Sequence, residues 1–288
     1  MITMTHVEKQ LGDFRLAVDD LVLYDGVTIV IGKNGAGKST FLQLAATAQF
    51  PDQGEISYNR KTVKEDLPII RMDIGFLPSG IELYEEMTPK KFLLYMCTLK
   101  GIREGREEIS ALLDSFGLLA FQNKKIAKLS EGQKQRVAIA QTFLGLPRFV
   151  LLDEPLTCLD IAERKKVMAY ISNYANNRTV LTTTHELNDW EGICEGILWI
   201  ENGEVHFHGS PEQWTSSLPL SVWKGIVPVD YLLSVQDGKL IHSRISRDRA
   251  HVRIIANQNP DPAVFTETKP TIEDAYFIRK ADQFSSSK

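Results

Sequence analysis

The stretch that decides the fold of this 288-residue chain reads Gly32-Lys33-Asn34-Gly35-Ala36-Gly37-Lys38-Ser39-Thr40. It matches the pattern G-x-x-x-x-G-K-[ST], and an apolar run at 27–31 comes directly before it. Glycines let a backbone turn tightly and approach a ligand, because no Cβ stands in the way. A loop of this kind, between a buried strand and a helix, binds phosphate groups.

The phosphate-binding interpretation gives each part of the loop a role. Backbone N–H groups hold the phosphates, assisted by the positive end of the helix predicted from Lys38 to about Ala48. The Lys38 ammonium reaches the β- and γ-phosphates, and the Ser39 hydroxyl binds Mg²⁺. The predicted nucleotide-binding residues of this loop are Gly32, Asn34, Gly35, Ala36, Gly37, Lys38, Ser39 and Thr40.

Three short apolar runs, at 27–31, 149–152 and 179–184, have the pattern of fully buried parallel strands. Helical patterns lie between them, for example at 161–175, and this alternation predicts an α/β fold with a parallel core sheet. From about Pro89 to Leu129 the pattern is helical only, which indicates a helical subdomain of about 79–129. Asn202-Gly203 predicts a type I′ turn and therefore an antiparallel hairpin.

The composition shifts after residue 210. The polar stretch 210–217 reads as a linker, and Asp237-Gly238 predicts a hairpin of strands 231–236 and 239–245. A further strand at 250–256, a helix at 271–281 and a disordered Ser-rich tail complete the prediction. The expected organisation is a nucleotide-binding domain at 1–210 and a small α+β accessory domain at 211–288.

The overall composition excludes several classes of protein. A net charge of -4 and a pI near 5.9 argue against a general nucleic-acid binder, which normally carries a basic excess. No stretch approaches the roughly 18 apolar residues of a membrane-spanning helix, and the N-terminus lacks the features of a signal peptide. Three widely spaced cysteines form neither a disulfide framework nor a metal-ligand pattern, as expected in a reducing cytosol.

A pair of carboxylates follows the run at 149–152. A phosphate-binding loop needs a metal-holding acid at the end of a neighbouring strand, and Asp153 supplies one, with Ser39 as the second predicted metal ligand. Glu154 comes next and is placed to orient the attacking water or to accept its proton. A solvated Asp-Glu pair at a strand end is the alternative, and the upstream loop favours the functional interpretation.

A third motif, Leu129-Ser130-Glu131-Gly132-Gln133, precedes a helix predicted at 135–144. Ser130 and Gln133 match an S-x-x-Q capping box, which would explain both without any function. A helix N-terminus that carries Ser and Gly is also a good anion site, so the two interpretations are compatible.

Together, the loop at 32–40, the motif at 129–133, the segment at 151–160 and His185 resemble the ATP-binding cassette (ABC) ATPases over about residues 1 to 210. The resemblance implies ATP and Mg²⁺ as cofactors. It also implies two cassettes that enclose two nucleotides, with Ser130, Gly132 and Gln133 contacting the nucleotide of the opposite subunit. Glu154, His185 and Lys38 take the catalytic positions, with His185 as the switch histidine, and Asp160 would communicate across the dimer.

The chain departs from the family pattern at three positions. Ser79 stands where the family has the Q-loop glutamine, and Glu131 replaces the usual third glycine of the signature. Leu11 aligns with the adenine-stacking aromatic residue, and Phe14 is a possible substitute. Loss of the stacking aromatic would remove about 1 kcal/mol from the grip on adenine.

The resemblance predicts the ATP-binding subunit of a membrane transporter that works with a permease chain on the cytoplasmic face of the membrane. The ending Pro270-Thr271-Ile272-Glu273-Asp274-Ala275-Tyr276-Phe277 resembles that of bacterial export-type subunits, including antibiotic and peptide exporters. Two alternatives stay open: a soluble ABC ATPase that acts outside transport, and a degenerate cassette with a regulatory role. The first of these usually has paired cassettes or zinc-binding cysteines, and the second rests on Ser79 and Leu11.

Overall fold

The computed structural model describes residues 1–102, 105–235 and 239–286, which form two compact units. Unit 1 comprises Met1–His185 and Gly192–His208, and unit 2 comprises Glu186–Glu191 and the chain from Gly209 onward. Within these described ranges, every helix is too short or too polar to cross a membrane.

Unit 1 contains most of the regular structure. Its strands are β1 (Ile2–Leu11), β2 (Phe14–Leu23), β3 (Gly26–Ile31), β4 (Gln53–Tyr58), β5 (Lys61–Thr62), β6 (Ile74–Leu77), β7 (Phe149–Leu152), β8 (Thr179–Thr183), β9 (Gly196–Glu201) and β10 (Glu204–Gly209). Its α-helices are α1 (Lys38–Ala45), α2 (Val63–Met72), α3 (Pro89–Leu99), α4 (Arg106–Ser115), α5 (Glu131–Thr142) and α6 (Ile161–Tyr174). Among the described residues these strands form one mixed sheet in the order β5-β4-β1-β2-β10-β9-β3-β8-β7-β6.

The parallel core of this sheet confirms the predicted α/β fold. Strands β3, β8, β7 and β6 are adjacent and parallel, and every residue of β3, β7 and β8 is buried. Uncharged runs form these strands because helices cover both faces of a parallel sheet, so no residue of the strand faces water. These four parallel strands therefore end at the same edge, where the loop at 32–37 follows β3 and the pair Asp153-Glu154 follows β7.

Antiparallel strands extend the sheet on the other side. β1 pairs with β2 and β4, and the hairpin of β9 and β10 turns at Asn202 and Gly203, which have φ values of 50° and 81°. Positive φ at both turn residues is the geometry that the Asn-Gly pair predicts.

Side-chain caps mark the start of α3 and α5. Thr88 caps α3, because its side chain accepts a hydrogen bond from the Lys91 N–H. Helix α5 begins at Glu131, four residues before the predicted start, because Ser130 already caps it. Helix α1 ends at Ala45, so the prediction that it continues to about residue 48 was wrong.

Unit 2 contains the helices α7 (Pro211–Thr215) and α8 (Ile272–Ser286) and the strands β11 (Ser221–Pro228), β12 (Leu240–Ser246), β13 (Arg249–Ala256) and β14 (Phe265–Thr268). In its described part, the four strands form an antiparallel sheet in the order β12-β13-β11-β14. An antiparallel sheet with helices is the α+β arrangement predicted for this part of the chain.

Three local predictions in this part were wrong. The expected linker at 210–217 contains α7, which Ser210 and Gln213 cap and which buries Trp214 completely. Residues 229–234 form a 3₁₀ helix instead of a strand, and β12 pairs with β13. Helix α8 continues through residue 286, where a disordered tail was expected. The predicted turn at Asp237-Gly238 lies outside the described residues.

Candidate nucleotide-binding site

The loop between β3 and α1 has the backbone shape that phosphate binding requires. Gly32 has a φ of 150°, and a Cβ at this position would lie 2.1 Å from the Ile200 carbonyl oxygen, so only glycine fits. Gly37, at φ 108°, is the N-cap of α1, and no described side chain caps this helix. The first N–H groups of α1 are therefore left for a ligand. A phosphate group fits this cradle.

Lys38 is buried at the base of the loop, with 7% of its surface exposed. Its Nζ donates hydrogen bonds to the carbonyl oxygens of Gly32, at 2.8 Å, and Lys33, at 3.0 Å. Burial lowers the pKa of this ammonium, while the nearby carboxylates of Glu154, Asp153 and Glu201 act in the opposite direction. Phosphate oxygens would replace the carbonyls as stronger partners, because hydrogen bonds between charged groups are stronger than those to neutral oxygens.

Beside the loop lies a cavity of about 350 Å³, lined in part by Phe14, Gly35 and Asn202. The Phe14 ring reaches beneath the loop, since a Cβ on Gly37 would lie 2.8 Å from its Cζ. Leu11 is 40% exposed at the end of β1 and does not line this cavity. Phe14 is thus the aromatic residue that a nucleotide base entering from this side would meet.

The carboxylate pair follows β7 at the same sheet edge. Asp153 is 5% exposed, and Glu154 has a left-handed backbone with a φ of 51°. The next parallel strand, β8, carries Thr183, whose Oγ1 donates to Asp153 Oδ1 at 2.7 Å and accepts from the Glu154 N–H at 2.7 Å. Thr183 is completely buried. One hydroxyl therefore fixes both the side chain of Asp153 and the backbone of Glu154.

Glu154 and His185 form a pair at the surface of the site. The His185 Nε2 lies 2.8 Å from Glu154 Oε1, and about half of the histidine side chain is exposed. A carboxylate accepts hydrogen bonds, so Nε2–H is the donor in this pair. In the part of the chain that the structure describes, no donor is bonded to the second Glu154 oxygen, so it is available to a water molecule, as a general base requires.

The hydroxyl of Ser39 and the carboxylate of Asp153 are oxygen ligands of the kind that Mg²⁺ prefers. Ser39 is the second residue of α1, and Asp153 follows β7, one strand beyond β8 in the sheet. Ser79, two residues beyond the end of β6, is exposed near the same edge, since β6 pairs with β7 through Leu77 and Leu152. The donor set fits Mg²⁺.

The signature segment lies apart from this site. Ser130 and Gln133 form a complete capping box at the start of α5, with bonds of 3.1 Å and 3.3 Å. A Cβ on Gly132 would lie 2.9 Å from the Cys158 carbonyl oxygen, so this glycine packs against the turn before α6. Asp160 caps α6 by accepting from the Glu163 N–H at 2.8 Å. Among the described residues, no hydrogen bond joins this segment to the phosphate loop.

Sequence reasoning missed two residues of the site. Thr183 gave no signal except its place in a buried strand, where a hydroxyl needs a partner. Glu201 ends β9, is 5% exposed and forms an ion pair of 2.9 Å with Lys33. A buried carboxylate at the end of an apolar strand predicts such a partner, because an unpaired buried charge is costly.

Comparison with known proteins adds an independent observation. Residues 20–157 match a family model described as ABC transporter. The chain is 32% identical to the ABC transporter ATP-binding protein NatA of Bacillus subtilis over 225 residues, which is 74% of this chain and 90% of that protein. It is also 32% identical to an uncharacterized ABC transporter ATP-binding protein, YxlF, of the same species, over 82% of this chain and 75% of that protein.

Other relatives are much longer. The human ATP-binding cassette sub-family A member 13 is 29% identical over 217 residues, but the match spans only 4% of that protein. Two solved structures are also similar. An ATP-binding subunit of an ABC transporter has a TM-score of 0.68 and 26% identity, covering 74% of this chain and 91% of that one. A dimeric ATP-binding cassette with bound ADP and Pi has a TM-score of 0.65 and 27% identity, covering 73% and 98%.

Proposed function

Because this chain belongs to the ATP-binding proteins of ABC transporters, we propose that it powers transport through a separate membrane permease. The chain is an ATPase cassette whose cofactors are ATP and Mg²⁺. The observation that carries the proposal is the group formed by Lys38, the Asp153-Glu154 pair and His185 at one sheet edge. These residues supply phosphate binding, metal binding and water activation together.

Each residue has one task in the proposed hydrolysis. Lys38 neutralises the β- and γ-phosphates, and Ser39 and Asp153 hold the metal ion. Mg²⁺ held by Ser39 and Asp153 would supply positive charge against the negative charge that develops on the phosphate. Glu154 orients the attacking water and takes its proton, while the 2.8 Å hydrogen bond from His185 keeps the carboxylate in position. His185 also faces the γ-phosphate in this proposal.

The site is half of a pair. We infer that Ser130, Gly132 and Gln133 complete the nucleotide site of a second cassette, and that the partner's equivalent segment completes this one. The start of α5 supports this, because its N–H groups and dipole favour a phosphate group. The related cassette with bound ADP and Pi is a dimer. Two ATP molecules would then favour the closed dimer by their differential affinity for it.

The permease and the direction of transport rest on the family resemblance. We propose that the helical subdomain of about 79–129 contacts a permease, which holds this chain at the cytoplasmic face of the membrane. Export is the proposed direction, supported by the ending at 270–277. A catalytically inactive regulatory cassette is the competing candidate, favoured by Ser79 in place of the Q-loop glutamine.

Replacement of Glu154 tests this proposal. Glu154→Gln should abolish ATP hydrolysis and keep ATP binding, so that light scattering detects a dimer that forms only with ATP. The control Glu55→Gln, on an exposed position of β4, should hydrolyse ATP normally. Absence of an ATP-dependent dimer, alone or with the permease, would contradict the two-cassette site. A wild-type protein that is inactive even with its permease would favour the regulatory cassette.

A further inference from the structure

The four-stranded sheet of unit 2 has one face that is only partly covered. The face that carries Trp223 and Phe265 packs against the 3₁₀ helix at 229–234 and the residues beside it. On the opposite face, Ile278 of α8 covers Val222 and Ile255. The remainder of this second face is an open groove of about 1040 Å³.

Basic side chains line this groove. Because side chains alternate along a strand, every second residue of β11, β12 and β13 points to this second face, and several of them line the groove. We call this set the basic face: Lys224, His242, Arg244, Arg249, His251 and Arg253. No Asp or Glu is among the described residues that line the groove. The chain as a whole carries a net charge of -4, so the positive charge of this groove stands against a negative charge over the rest of the chain.

Most of this positive charge is not neutralised within the chain. Arg253 is held by Asp274, with its Nε 3.2 Å from Oδ1. In the described ranges, Lys224, Arg244 and Arg249 have no ion-pair partner. The register places Arg244 opposite His251 and Lys224 opposite Arg253. Basic side chains directly opposite one another destabilise a sheet when both are charged. An anionic partner would remove this cost.

The spacing of the charges favours an extended peptide as that partner. Arg249, His251 and Arg253 occur at every second residue of β13, about 6.6–6.8 Å apart. Carboxylates at alternate positions of an extended segment repeat at the same distance. Two exposed apolar side chains, Ile226 and Val264, which are 46% and 38% exposed, also line the groove. They offer contacts that a peptide backbone and its intervening side chains can use.

We propose that the basic face binds an acidic, extended segment of a partner protein. This role goes beyond ATP hydrolysis and does not depend on its details. Single-stranded nucleic acid fits less well, because such sites normally stack bases on aromatic side chains, and no Phe, Tyr or Trp is among the described lining residues. A bilayer fits less well because the charges lie on the floor of a groove, where a flat surface makes few contacts.

The test uses the full chain and a fluorescein-labelled peptide of twelve residues with alternating Glu and Thr. Fluorescence anisotropy in 0.1 M NaCl should show binding, and 0.5 M NaCl should weaken it because of screening. The double variant Arg244→Glu/Arg249→Glu should bind about tenfold or more weakly. The control Arg247→Glu/Lys269→Glu makes the same change in net charge outside the groove and should alter binding by less than about twofold.

Folding and competing ligands are checked in the same experiment. All four substituted side chains are exposed, so both variants should keep the wild-type ATPase activity and circular dichroism spectrum. Arg244→Gln/Arg249→Gln should give an intermediate loss. An equal loss in the groove variant and the control would overturn the proposal. So would binding of oligo-dT or of phosphatidylglycerol vesicles at least tenfold tighter than the peptide, with the groove variant losing that binding.

Discussion

Thr183 offers the sharpest test of how the site is organised. Its buried hydroxyl donates to Asp153 at 2.7 Å and accepts from the Glu154 N–H at 2.7 Å. Valine has nearly the same shape as threonine but has no hydroxyl. Thr183→Val therefore removes both hydrogen bonds and leaves the packing of β8 almost unchanged.

The size of the effect follows from these two bonds. A hydrogen bond to a charged group contributes about 1.5–3 kcal/mol, and a buried N–H without a partner costs about 1–3 kcal/mol. Partial relaxation makes the two losses less than additive, so we expect the free energy of unfolding to fall by about 2–4 kcal/mol. Glu154 has a left-handed backbone, at φ 51°, which costs roughly 1–2 kcal/mol in an L-residue. Without the bond from its N–H, this strained conformation loses support.

The catalytic effect should appear in metal dependence and in turnover. Loss of a group that orients a metal ligand typically costs 10–100-fold in metal affinity or activity. We therefore expect Thr183→Val to need about 10–100-fold more Mg²⁺ for half-maximal ATPase activity, or to show a kcat lower by a similar factor. Affinity for nucleotide without metal should change little, because Lys38 and the phosphate loop are untouched.

Two variants separate this role from simple packing. Thr183→Ser keeps the hydroxyl and should restore most of the activity and metal affinity. Thr182→Val is the matched control, since Thr182 is equally buried and, among the described residues, its hydroxyl bonds to a backbone oxygen at 3.3 Å and to no carboxylate. If Thr183→Val matches the wild type in its Mg²⁺ titration, or if the serine variant is equally impaired, the bridging hydroxyl does not organise the site.

Three further predictions concern the loop, the second unit and pH. Gly32→Ala should melt at a much lower temperature than Gly35→Ala. Both glycines have positive φ, but of the two only Gly32 would place a Cβ against a backbone oxygen, at a distance of 2.1 Å. We expect about 1–2 kcal/mol of strain at Gly35 and at least about 2 kcal/mol more at Gly32; equal melting temperatures would contradict this. Asp274→Ala leaves Arg253 without its ion-pair partner and should lower the free energy of unfolding by about 3–5 kcal/mol, measured by tryptophan fluorescence in urea. The double variant Asp274→Ala/Arg253→Ala should lose less free energy of unfolding than the two single variants together. The His208 side chain is largely exposed on β10, and the packing around its ring lowers its pKa, so its small contribution to stability is present above the ordinary histidine pKa and is lost as pH falls below it. His208→Gln should therefore reduce the loss of melting temperature between pH 7.5 and 5.5, and an unchanged slope would refute this assignment.

The buried parts of unit 1 were predictable because one physical cause dominates each of them. The runs that became β3, β7 and β8 contain no charged residue and are rich in β-branched or apolar side chains, as strands covered on both faces are. The turn at Asn202-Gly203 needs positive φ at both positions, and few residue pairs adopt it easily. The phosphate loop combines such glycines with a strand and a helix, so local and long-range signals agree there.

The errors in unit 2 have a different origin. Helix α7 spans only Pro211–Thr215, and its composition is polar apart from Trp214, so hydrophobic periodicity could not reveal it. The capping residues Ser210 and Gln213 were the available signal. The segment 229–234 has strand-like composition, but β12 pairs with β13, and this choice of partner is a tertiary effect that local propensity does not contain. Thr183 was missed for the same reason, since its partners follow a different strand.

The motif at 270–277 has a structural explanation that is independent of transport. Thr271 and Asp274 bond to each other's backbone N–H groups at the start of α8, and the Ile272 carbonyl accepts from Trp214 Nε1 at 2.9 Å. Glu273 accepts a bond of 2.5 Å from Asn188, in the segment Glu186–Glu191 that belongs to unit 2 and directly follows His185.

This connection bears on the proposed domain boundary near residue 210. Helix α8 packs against the 3₁₀ helix at 187–190, where Trp190 is completely buried, so the segment Glu186–Glu191 that follows His185 belongs to unit 2 although it lies before residue 210 in the sequence. The motif at 270–277 caps α8 and anchors the segment Glu186–Glu191. We therefore expect it in every cassette that carries an appendage like unit 2, whichever substrate the permease transports. Its presence therefore supports the fold of unit 2 more directly than it supports export.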